Sequence, residues 1–311
     1  MQPIIQVTGL SKHYGGFKAV DDLSFTVLKG DVFGFLGQNG AGKSTTIRML
    51  LTLVRPTAGE IRIFGSDLQQ HRNRILSRLG AVIEKPDLYG YLSGYENLSI
   101  FARLSGRTCS KADMEETLDL VGLSTRAHSK VRTYSQGMRQ RLGIACALVH
   151  DPELIILDEP TNGLDPQGIA DIRHLILSLS REKGKTFLVS SHLLAEMELI
   201  ASRLLIIDRG RKVVEGNMGD LMDPQRLVVR VGTADDPSAK AILSSGVWSE
   251  RMRNAMGDGI VLDLSRDEVP RLVAHLVDMQ VDILSLEPVH TLEHYFLNLT
   301  NAQTDVDAGA H

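Results

Sequence analysis

Short runs that are apolar at almost every position alternate with helix-period segments through the first two thirds of the chain. Residues 32–36, 154–157, 186–190 and 204–208 predict strands rich in branched and aromatic side chains, as do 4–8, 23–28, 60–64 and 80–83. Residues 43–53, 136–149, 166–183 and 193–201 predict helices. A strand without a polar face must be covered on both sides, so this alternation predicts an α/β fold with a mostly parallel sheet. Residues 93–123 are helical in pattern, punctuated by Gly106 and Gly122. The stretch near 93–131 breaks the alternation and reads as an inserted helical subdomain.

Past Gly216 the pattern changes. Strands near 227–231, 247–253, 260–264 and 281–286, with helices near 238–243 and 268–279, give β-α-β-β-α-β, the ferredoxin-like order. The expected organisation is therefore 1–216, a small α+β domain over 217–300, and a polar, disordered tail over 301–311.

Composition changes this picture little. The 311 residues are 43% hydrophobic and 23% charged, with a net charge of −4, which leaves no basic footprint for nucleic acid. No apolar run approaches the roughly 18–20 residues of a membrane span, and the N-terminus has no secretory pattern, so a cytoplasmic chain is expected. The 2 cysteines, Cys109 and Cys146, are too few for a disulfide framework or a thiolate zinc site.

Three segments carry chemistry. Gly37-Gln38-Asn39-Gly40-Ala41-Gly42-Lys43-Ser44, followed by Thr45, fits a phosphate loop between an apolar strand and a helix. Its glycines let backbone N–H groups curl around phosphates, Lys43 adds a charge, and Ser44 offers a hydroxyl to Mg²⁺. The apolar strand 154–157 ends in Asp158-Glu159. Period 2 points the two carboxylates apart, so they take separate tasks: Asp158 near a magnesium ion, Glu159 as general base or water orienter. Finally, Tyr134-Ser135-Gln136-Gly137 opens a helix and forms a second anion cap.

With Asp158-Glu159-Pro160-Thr161-Asn162-Gly163-Leu164-Asp165 and Ser190-Ser191-His192, these segments have the order and spacing of ATP-binding cassette (ABC) transporter ATPases. The resemblance spans about residues 4–216. It implies a P-loop NTPase that binds ATP and Mg²⁺ and acts as a head-to-tail dimer. Ser135 and Gly137 of one chain would cap the γ-phosphate held by Lys43 of the other. It also implies that Tyr14 stacks on adenine, that His192 contacts the γ-phosphate, and that Asp165 lies in the loop linking two sites. The partners implied are a second ATP-binding subunit, a homodimer being expected, and an integral membrane permease that holds the chain at the inner face of the membrane.

Two positions depart from the family pattern. Ser-Gly-Gly-Gln is usual where this chain reads Ser135-Gln136-Gly137-Met138, and Glu84 stands where a glutamine meets the metal. With Tyr95-Glu96-Asn97-Leu98, these features resemble the bacitracin-resistance and lantibiotic-immunity branch. The end of the chain, Thr291-Leu292-Glu293-His294-Tyr295-Phe296-Leu297, resembles drug- and peptide-export ATPases. His290 and His294, one helical turn apart with no third ligand, read as a polar helix face. The expectation is an exporter ATPase, with a non-transport ABC ATPase, an importer, a P-loop kinase or a GTPase as alternatives.

Overall fold

In the computed structural model, residues 2–106, 109–221, 226–252 and 259–288 are described. The chain divides into two compact units, Met1–Asn217 and Met218–His311.

The first unit opens with a hairpin of β1 (Pro3–Tyr14) and β2 (Phe17–Leu28), then β3 (Val32–Leu36), α1 (Lys43–Leu50), β4 (Ala58–Ile63) and β5 (Ser66–Asp67). α2 (Arg72–Leu76), β6 (Leu79–Val82), α3 (Gly94–Leu104), α4 (Lys111–Leu120) and α5 (Gln136–Leu148) follow. The unit closes with β7 (Leu154–Asp158), α6 (Pro166–Lys183), β8 (Thr186–Ser191), α7 (Leu194–Glu198), β9 (Arg203–Asp208) and β10 (Arg211–Asn217). Six strands form one sheet in the order β10-β9-β3-β8-β7-β6, parallel except at the β9–β10 edge. The antiparallel sheet β2-β1-β4-β5 shares its core with that sheet through Ile47, Met49 and Leu50 of α1. Phe25 stacks on Phe33 and Phe35 at centroid distances of 5.9 and 5.8 Å. Burying each such ring contributes roughly 1.5–3 kcal/mol. β3, β7 and β8 are buried at every residue, as their apolar runs require. Their carboxyl ends lie side by side, the place where open parallel sheets bind ligands.

Several boundaries differ from the sequence pattern. The helix expected over 43–53 stops at Leu50, because Thr52 turns left-handed (φ 60) and the N–H groups of Leu53 and Val54 both donate to Arg48 O. The helical stretch 93–123 is two helices, each started by its own capping box, Ser93 with Glu96 and Ser110 with Asp113. The capping bond from Ser93 N–H holds the Glu96 carboxyl below its ordinary range. Leu194–Glu198 is all that forms of the helix expected over 193–201. β10 went unread; Arg209 and Gly210, both at positive φ, turn the chain into it. Cys146 is buried on α5, and burial pushes its thiol up to about 12.

The second unit comprises α8 (Met218–Leu221), β11 (Arg226–Thr233), α9 (Asp236–Ser244), β12 (Ile260–Ser265), α10 (Glu268–Asp278) and β13 (Ile283–Pro288). Its sheet order is β12-β11-β13, all antiparallel. No strand forms over the described part of 247–253. Trp248 is buried, and the N–H groups of Arg251 and Met252 fold back onto its carbonyl, which leaves Met252 alone to bridge Leu262. The expected tail 301–311, the motif at Thr291–Leu297, and His290 with His294 lie outside the described residues.

Candidate nucleotide-binding site

The phosphate loop runs from the end of β3 into α1. Two of its glycines are required by space: a Cβ on Gly37 would lie 2.5 Å from Ile207 O, and one on Gly42 2.6 Å from Ala19 O. Gly42 also has φ 107 and caps α1 with no side-chain hydrogen bond. The first turn of α1 therefore keeps free N–H groups at the positive end of the helix dipole, which suits an anion. Ala41 is buried beneath the loop, its carbonyl accepting from Gly210 N–H at 2.9 Å, while Asn39 and Gly40 are exposed above it.

Lys43 is only 6% exposed. Its Nζ donates to Gly37 O at 2.6 Å and to Gln38 O at 3.3 Å, and faces Glu159 Oε1 at 3.3 Å. The other carboxylate oxygen of Glu159 lies 2.7 Å from His192 Nδ1. Glu159 adopts a left-handed backbone (φ 49), which costs about 1–2 kcal/mol in an L-residue. Its N–H donates to both Ser190 Oγ (2.9 Å) and Ser190 O (3.2 Å), which holds the turn. Ser190 Oγ donates in turn to Asp158 Oδ1 at 2.5 Å. Thus Asp158 and Glu159 do diverge, but the left-handed turn after β7 separates them, since Glu159 lies past the strand.

A cavity of about 430 Å³ collects Phe17, Gln38, Asn39, Gly40, Gly42, Lys43, Ser44, Thr45, Glu159, Asn162 and His192. Phe17, 64% exposed, and Asn162 were not read as site residues. The signal for Phe17 was the Tyr14-Gly15-Gly16-Phe17 hairpin, which presents two aromatics and not one. Tyr14 lies on the other arm of that turn with Lys12 Nζ 4.9 Å from its ring centre, and is not part of the cavity wall.

Asp158 Oδ2 is buried without a hydrogen-bond partner. An orphaned buried carboxylate oxygen is expensive unless a cation or water meets it. Like the Ser44 hydroxyl, it is a hard-oxygen donor of the kind Mg²⁺ takes. Among the described residues no three His, Cys, Asp or Glu side chains gather to hold a metal, so phosphate and water oxygens would complete its shell.

Residues 20–162 match the ABC transporter family. The bacitracin transport ATP-binding protein BcrA of Bacillus licheniformis is 40% identical over 306 residues, covering 98% of this chain and 99% of that protein. This chain belongs to the ABC transporter ATP-binding family. The Nod factor export ATP-binding protein I of Ralstonia nicotianae is 39% identical over 97% of this chain and 95% of its own. Among solved structures, the dimeric cassette MJ0796 is 25% identical with a TM-score of 0.63, covering 69% of this chain and 98% of its own. The chain is an ATPase.

Ser135, Gly137 and Glu84 also stand outside the cavity wall. Ser135 caps α5, accepting from Met138 N–H at 3.2 Å, and a Cβ on Gly137 would meet open space. Gln136 packs under Gly163 and donates to Asn162 O at 3.3 Å. Glu84, expected as a metal ligand, meets the last turn of α1. It is left-handed (φ 56), and its carboxylate takes Arg48 Nη2 at 2.5 Å. Both partners are substantially exposed, so the pair is worth at most about 1 kcal/mol. Glu84→Gln is expected to leave Tm nearly unchanged and to keep kcat and KM for ATP within about two-fold of the parent, since the carboxylate is paired with Arg48 outside the cavity wall. Steady-state ATPase assays check this; a KM lowered several-fold would show that the Glu84 charge does reach the polyphosphate.

Proposed function

We propose that this chain is the ATP-hydrolysing subunit of an exporter, acting in pairs beneath a separately encoded membrane permease. The observation that carries this reading is the split site: Lys43, Ser44, Glu159 and His192 share one cavity, while the Ser135–Gly137 anion cap is absent from it and faces open space. A cap that its own chain cannot use fits a site completed by a second chain. The dimeric MJ0796 cassette supports such pairing, and a homodimer is the simplest form. The names of BcrA and of the Nod factor export protein support export, and BcrA supports an antibiotic-like peptide as cargo.

In this reading ATP is held by the loop N–H groups and Lys43, with Phe17 and Tyr14 at the base end. Water attacks the γ-phosphorus as the bond to the β-bridging oxygen breaks, yielding ADP and phosphate. Glu159 orients that water and takes its proton, and His192 fixes the Glu159 carboxylate. Ser44 and Asp158 would hold Mg²⁺, which neutralises charge on the phosphates. Positioning and electrostatics supply most of the rate.

Among the described residues no helix is long and apolar enough to cross a membrane, and in this reading the permease supplies the spans. A groove of about 540 Å³ lined by Val82, Pro86, Leu88, Phe101, Leu104 and Cys146 offers a seat for one of its cytoplasmic segments. Leu104 in this groove is 75% exposed, an unfavourable place for a leucine without a partner. Asn97 fastens the rim: buried, it donates to Tyr89 O and Ser93 O and accepts from Tyr89 N–H. The expected result is co-purification of the chain with a membrane protein of about six apolar spans. Leu104→Asp is expected to abolish that co-purification while ATP binding stays at the parental level. Failure to recover any membrane protein with the parent chain would refute the transport reading.

A further inference from the structure

Glu159 and His192 sit on different loops, one after β7 and one after β8, yet their side chains meet at 2.7 Å. Something must set the distance between those loops. Ser190 ties the strand ends, through its bonds to Asp158 and to Glu159 N–H, but it precedes His192. Beyond His192 a side-chain tie joins the two segments: Thr161 Oγ1 donates to Glu196 Oε2 at 2.6 Å. Thr161 is buried two residues after Glu159, and Glu196 lies on α7, four residues after His192.

Apart from Arg173, the surroundings of this tie are apolar. Pro160, Ile172, Ile176, Val189, Met197 and Ile200 line the small gap, about 20 Å³, beside Thr161 and Glu196. Such a gap holds at most one water. Among the described residues Glu196 has no ion pair, and Thr161 is its one side-chain hydrogen-bond partner. α7 is five residues long and has no side-chain N-cap, so its own hydrogen bonds do little to hold it.

We propose that Glu196 is a positioning residue: through Thr161 it locks the His192 segment to the loop bearing Glu159, so that the pair reaches the γ-phosphate as one unit. This inference rests on the roles given above to Glu159 and His192. Misplacement of reacting groups by a fraction of an ångström to 1 Å lowers turnover by one to two orders of magnitude.

The test is steady-state ATPase of the full chain, with ATP affinity measured separately. Glu196→Ala and the near-isosteric Thr161→Val are each expected to lower kcat about ten-fold, with KM for ATP within two-fold of the parent. Glu196→Gln and Thr161→Ser, which keep an acceptor and a donor, should restore most of the rate. The double variant Thr161→Val with Glu196→Ala should be no slower than either single variant, since both remove one interaction. Parental kcat in Glu196→Ala and Thr161→Val would overturn the proposal, as would Glu196→Gln and Thr161→Ser variants as slow as the non-bonding ones. An additive double variant would do so too. Glu159→Gln separates the two claims: full turnover there defeats the reading of Glu159, whereas loss there with normal Glu196 variants defeats this inference alone.

Discussion

Glu159→Gln is expected to bind ATP about as tightly as the parent chain and to turn it over about 10³-fold more slowly, a barrier increase of about 4 kcal/mol. Glutamine matches the shape of glutamate and its oxygen can still accept from His192, so the 2.7 Å contact has a counterpart. What is lost is the ability to take a proton from water, and the charge that faces Lys43 at 3.3 Å. The first loss slows hydrolysis; the second removes a negative group from beside the phosphates and does not weaken binding. ATP should therefore accumulate intact between paired chains, and size-exclusion chromatography with and without ATP should show a nucleotide-dependent dimer. His192→Ala is the companion measurement. If Glu159→Gln keeps turnover within ten-fold of the parent, Glu159 is not the base.

Much of the site follows from local chemistry that a sequence displays. A strand that is apolar throughout, a glycine-rich turn and a helix leave the phosphate loop little freedom, and Gly37 and Gly42 meet backbone at 2.5 and 2.6 Å if given a Cβ. The missing parts depend on contacts between segments distant in sequence. Thr161 and Glu196 are 35 positions apart, and neither residue type announces the other. The family resemblance puts Glu84 at the metal, and its ion pair with Arg48, 36 positions earlier, is a contact that no sequence motif displays. Phe17 is not distinctive in the sequence, because an exposed aromatic in a hairpin is ordinary until the turn brings it beside Gln38 and Asn39. In the second unit, residues 247–253 have the composition of a strand, but burial of Trp248 beside His275, at 6.5 Å, is met by a turn instead. Propensity lost there to packing.

Lys43→Ala should act on affinity itself and raise Kd for ATP about 10²-fold or more. In the parent, Nζ is already held by Gly37 O, Gln38 O and the Glu159 carboxylate, so the charge is in place before nucleotide arrives and little ordering is needed on binding. Removing it takes away charge-assisted bonds to phosphate, about 1.5–3 kcal/mol. It also strips Glu159 Oε1, which is buried and has no hydrogen bond, of its counter-charge. The bare carboxylate then repels the polyphosphate; two unit charges 4 Å apart at an effective dielectric of about 20 differ by on the order of 4 kcal/mol. The two losses can be separated. Adding Glu159→Gln to Lys43→Ala removes the repulsion and should recover part of the affinity, although it restores no contact to ATP. Titration calorimetry on the four chains measures this directly. A Kd for Lys43→Ala within two-fold of the parent would remove Lys43 from the phosphate site. A double variant no tighter than Lys43→Ala would show that the bare Glu159 carboxylate does not repel the polyphosphate.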